Sequence, residues 1–144
     1  MENVGITAEG DDLLARPSSG PELRIPFHDL TRILAIRFGE RFMGLQHGWV
    51  VFEADPVSLA CDFQKCPGVQ QVLFRDWRER IDASGILRTA DSARRPPQFR
   101  APGLFSPAPK LLLMTRSELA TALAAADIVG SMKRLQVFDL DLDA

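Results

Sequence analysis

Residues Lys110–Ala144 run KLLLMTRSELATALAAADIVGSMKRLQVFDLDLDA, and the rest of the chain is placed by reference to them. The opening KLLLM is a short apolar run, too short for a helix of its own. Thr115 and Glu118 then stand at the T-x-x-E spacing of a capping box, in which each side chain bonds the other's backbone N–H. Alanine and leucine, the strong helix formers, dominate the next ten residues, and Gly130 is placed to stop the helix. Leu135, Val137, Phe138, Leu140 and Leu142 resume a β pattern. The unit reads strand, helix, strand. A crossover of this length permits parallel pairing of its two strands, which would be right-handed. It predicts a fold and carries no chemistry.

Immediately before it lies the least regular part of the chain. Residues 88–109 contain Pro96, Pro97, Pro102, Pro107 and Pro109, half of all the prolines, so neither a helix nor a central strand is expected there. Arg88, Arg94, Arg95 and Arg100 are interspersed with Phe99 and Phe105. A structureless loop of this length is uncommon, and it is usually either functional or disordered. A short extra strand at Gly85–Thr89 is compatible with the pattern.

Further back, Val69, Val72, Leu73, Trp77 and Ile81 mark an amphipathic helix opened after Pro67-Gly68 and closed by Gly85. Trp49–Phe52 is a compact β run, and Ala54-Asp55-Pro56 makes a turn. Val57, Leu59, Cys61 and Phe63 alternate with Ser58, Ala60, Asp62 and Gln64, the period of two of a strand. Together these predict an antiparallel hairpin. Leu30, Ile33, Leu34, Phe38 and Phe42 fall at helical spacing behind Asp29, a good N-cap, which predicts a first helix ending near Gly44. Residues 1–25 are acidic and then broken by Arg16-Pro-Ser-Ser-Gly-Pro21, which reads as an irregular tail ahead of one domain at 26–144.

The totals exclude several classes. The chain has 144 residues, 46% of them hydrophobic and 25% charged, so it is globular rather than disordered. Its net charge of −2 gives no field that would draw nucleic acid or an anionic membrane, and nucleic acid is not the expected partner. No apolar run is long enough to span a bilayer, so no membrane association is expected. The N-terminal MENVGITAEGDDLL lacks the apolar core of a secretory signal, and the two cysteines are too few for a disulfide scaffold. A soluble, cytoplasmic protein is the expectation.

Chemical motifs are few. Cys61-x4-Cys66 is not a zinc spacing, and His28 and His47 precede it, so no metal is expected. G-x-S-x-G, H-E-x-x-H and G-x-x-x-x-G-K are all absent, and no cofactor is implied. Asp139, Asp141 and Asp143 share one face of the expected last strand. An extended chain spaces them roughly 7 Å apart, too far to share one ion. They read instead as charge along a strand edge, or as an acidic docking edge.

The fold expected is α+β: three helices packed on a small mixed sheet of about four strands, in the order α-β-β-α-β-α-β. The function favoured is a non-enzymatic protein-binding module, with Arg94, Arg95, Phe99, Arg100, Phe105, Asp139, Asp141 and Asp143 as its partner-binding residues. Arg and aromatic residues are enriched at interfaces, which is why another protein is the partner expected. By size and acidity alone, an inhibitor such as an immunity protein that neutralises its target fits the description. The alternative is a small enzyme whose site converges around His47, Glu53, Asp55 and Cys61.

Overall fold

The computed structural model describes residues 4–38 and 48–140. Two sheets replace the single small sheet expected. The first is an antiparallel meander of β1 (Gly5–Glu9), β2 (Asp12–Arg16) and β3 (Leu23–Pro26). The second has six strands: β4 (Arg32–Phe38), β5 (Gly48–Glu53), β6 (Val57–Asp62), β7 (Leu87–Ser92), β8 (Leu111–Thr115) and β9 (Ile128–Arg134). Their spatial order is β8-β6-β5-β4-β7-β9, with β4 and β7 parallel and the other neighbours antiparallel.

The expected first helix is a strand. Phe27–Asp29 make one 3-10 turn, and β4 follows. Ile33, Leu34, Ala35 and Ile36 are all fully buried, because β4 sits inside the sheet with both faces covered. An apolar run of this kind has no polar partner to show a period of two, so helical spacing arises by accident. Phe42 and Gly44 lie outside the described residues.

The N-terminal segment also differs from expectation. Residues expected to form an irregular tail make the meander, closed at Gly10-Asp11 by a two-residue loop whose first residue has φ +61°. A positive φ there is what tight hairpins need. Ile6, Leu13, Ala15 and Ile25 share a core with Ile33, Ala35, Phe52 and Leu59 of the larger sheet. Ile6 N–H donates to Pro67 O at 2.9 Å, and Gly68 turns beneath this contact at φ +93°. A Cβ at Gly68 would run into the Ile6 carbonyl oxygen.

The hairpin read at residues 49–63 is present as β5 and β6, with Val50 opposite Cys61 and Phe52 opposite Leu59. Its turn holds a cis Asp55-Pro56 bond. The helix read at 69–81 is α1 (Val69–Gln71), running through a π-helical stretch Val72–Asp76 into α2 (Arg78–Ser84), with Gly85 left-handed at its end. These elements and the meander cover the face of the large sheet that carries Ile33, Val50, Phe52 and Cys61.

The opposite face carries Leu34, Ile36, Trp49 and Val51, covered by α3 (Arg116–Ala125). The capping box of α3 is formed: Glu118 N–H donates to Thr115 Oγ1 at 3.2 Å, and Thr115 N–H to Glu118 Oε1 at 2.9 Å. The helix ends earlier than Gly130. Asp127, at φ 57°, makes the left-handed exit, and β9 begins one residue on. Strands β8 and β9 occupy opposite edges of the sheet rather than pairing, and residues 137–139 form a 3-10 turn instead of a last strand.

Candidate functional site

The proline-rich segment after β7 is tied down at both ends. At its start the Ser92 hydroxyl donates to Ala126 O, and Ala93 N–H donates to Asp127 O at 3.3 Å, which bind it to the end of α3. At its finish Lys110 O accepts from Asp62 N–H at 2.9 Å, and the chain enters β8. Between these points, Pro97–Phe99 make a 3-10 turn in which Arg100 N–H closes onto Pro97 O at 3.1 Å. Pro97 suits the start of that turn because its φ is already fixed and its missing N–H is not needed.

Phe99, expected on a binding surface, is fully buried. It lies against Trp49 and near Phe38, whose ring centroid is 5.9 Å away. A Phe placed among strand aromatics gains more from burial than it could from solvent exposure. Its role is therefore to pin the segment to the sheet. Arg95 carries its guanidinium over the Phe38 ring, 5.6 Å from the centroid. Arg94 reaches Asp127 at 3.8 Å and stays largely exposed, so that pair adds little.

Beyond the anchor the segment turns at Gly103–Ser106, with Ser106 N–H on Gly103 O at 3.3 Å. Leu104 and Phe105 sit at this tip and are 90% and 96% exposed. Phe105 belongs to the site expected from sequence. Leu104 does not, and only its place beside Phe105 in a proline-flanked turn could have marked it.

The other expected contact residues lie elsewhere. Asp139 sits in the 3-10 turn, where its carboxylate accepts from Gln136 N–H at 3.2 Å. Neighbouring Val137 packs in the core on the meander face, opposite to Phe99. Val137 and the Phe99 anchor are thus on different faces of the large sheet. Asp141 and Asp143 lie outside the described residues.

Of the alternative constellation, Glu53 and Asp55 line one small hollow with Arg116, and Cys61 is not part of it. Glu53 pairs with Arg32, and Asp55 with Arg116 at 2.8 Å. Cys61 is fully buried among the apolar side chains of the meander face, whereas Glu53 follows Phe52 and so points to the other. Burial pushes the Cys61 thiol well up, and its neighbour Cys66 adds to the effect. Cys66 is buried as well. His47 lies outside the described residues. Among the described residues, no helix is long and apolar enough to cross a membrane.

Comparison with protein-family models, with curated proteins and with solved structures finds no match to this chain.

Proposed function

We propose that this chain is a non-enzymatic binding protein that engages another protein through residues 93–110. The observation that carries this reading is the tip: two adjacent large apolar side chains, Leu104 and Phe105, stand almost wholly in water. Neither contributes to the core, and leaving both exposed gains nothing for folding. Burying them against a partner would recover the hydrophobic contribution that the fold leaves unused.

The frame around the tip suits that role. Pro102, Pro107 and Pro109 restrict the backbone, and Phe99 fixes one side of the segment to the sheet. A segment restricted before binding loses less entropy on binding. Arg94 and Arg100 are exposed beside it, which favours a partner whose apolar pocket has an acidic rim. Glu53 and Asp55 are each engaged by an arginine and Cys61 is buried, so the enzymatic alternative draws no support from them. Inhibition of the partner, as by an immunity-type protein, is the form of binding that the size and acidity of the chain favour.

The test is the double variant Leu104→Ser, Phe105→Ser. Its affinity for the partner should fall at least about tenfold, as expected when central apolar anchors are lost. Its thermal midpoint should match that of the parent. An unchanged affinity removes the tip from the interface.

A further inference from the structure

A cleft of about 600 Å³ runs along the β8 edge of the large sheet. Leu111 and Leu112 both line it. Successive strand residues point to opposite faces, so the cleft wraps the sheet edge instead of resting on one face. Its other wall includes Pro97, Pro102, Pro107 and Pro109, which makes the lining largely apolar. The volume lies in the ordinary range of sites that enclose a small molecule.

The charges of this lining are one-sided. Arg100 and Lys110 line the cleft, and among the described residues no acidic side chain does. Neither cation takes part in an ion pair among the described residues. The chain as a whole carries a net charge of −2, so two uncompensated cations at one apolar cleft run against its average. Both side chains are exposed, so solvent and salt partly screen their pull on an anion, and contact of an apolar body with the walls adds to it.

We propose that this cleft binds a small amphipathic carboxylate. The alkyl or aryl body rests against the prolines and leucines, and the carboxylate meets Arg100 and Lys110. A guanidinium can hold a carboxylate through two parallel hydrogen bonds, and an ammonium adds a point charge beside it. This goes beyond the protein-binding reading: the two share Arg100, but Leu104 and Phe105, which carry that reading, do not line the cleft, so either can fail without the other.

The experiment is calorimetric titration of the full chain with octanoate, with 4-phenylbutyrate and with neutral 1-octanol. Octanoate and phenylbutyrate separate an alkyl from an aryl body. One of them should saturate a single site per chain, and 1-octanol should bind at least about tenfold more weakly, because it lacks the charge that the cations select. Arg100→Gln with Lys110→Gln should weaken the carboxylate by about tenfold or more and leave 1-octanol unaffected. Circular dichroism checks that this variant is folded, and the two single variants carry the test if it is not. The Leu104→Ser, Phe105→Ser variant should bind the carboxylate as the parent does, whatever it does to the protein partner. Absence of saturable binding by either carboxylate overturns the proposal. Equal binding of 1-octanol does so too, as does a folded charge variant with parental affinity.

Discussion

Phe99 lies flat against Trp49, with ring centroids 4.3 Å apart and planes within 7° of parallel. Both rings are fully buried, one from a proline-rich segment and the other from β5 inside the sheet. A segment whose composition suggests a free loop is therefore built into the core at one point. Phe99→Ala should cost about 3–5 kcal/mol, the usual range for truncating a buried Phe. Urea denaturation measures it, and a loss near that of a surface change would mean that the segment merely rests on the sheet.

The arginines around this anchor should behave differently. Arg94→Ala and Arg100→Ala should each change stability by less than about 0.5 kcal/mol, because both side chains are exposed and the ion pair of Arg94 with Asp127 is long. The same denaturation assay checks them, and a loss comparable to that of Phe99→Ala would place them in the core.

The cap of α3 gives a prediction with a pH sign. Thr115→Ala should cost about 1 kcal/mol, since it removes the acceptor for a helix N–H. Hydrogen bonds from the Thr115 backbone, and then from its side chain, hold the Glu118 carboxyl below its usual range. A lowered folded value means that this contribution is complete above the ordinary Glu pKa and is lost as pH falls through the lowered one. Thr115→Ala keeps the backbone donor, so the pH test uses Glu118→Ala: its stability profile and the parent's should converge towards acid, as the parent's carboxylate is protonated. Parallel profiles down to low pH would show that the box does not form.

Cys61 and Cys66 are both buried, and both should resist a thiol reagent in the native protein. Burial raises the Cys61 thiol, so little thiolate is present to react. In urea both should react quickly. Rapid native labelling of Cys61 alone would restore it as a candidate nucleophile.

Local sequence signals suffice where one rule dominates. The alternation of Val57–Phe63 specifies a strand, although β6 is covered on both faces rather than one, with Ser58 and Ala60 buried like Leu59 and Cys61, and the Thr115–Glu118 spacing specifies its helix start. Local signals fail where burial depends on distant parts of the chain. Ile33–Ile36 is apolar at every position because β4 has cover on both faces, and a run without polar residues has no legible period. The Glu9–Asp12 turn is hidden by its acidity, although Gly10 is its marker. Asp127 ends α3 before Gly130 because its left-handed conformation needs no glycine, only a short polar side chain. For the site, exposure of Phe105 follows from its surroundings, whereas burial of Phe99 depends on Trp49, fifty residues earlier in the chain.

Contact between the 104–105 tip and another protein is open to direct test by a photoreactive phenylalanine analogue placed at position 105 in the native cell. Position 138 is the control, because Phe138 is the other large exposed aromatic side chain among the described residues. One discrete protein adduct is expected from position 105, missing from position 138. No adduct from position 105, or the same adducts from both positions, would contradict the protein-binding role.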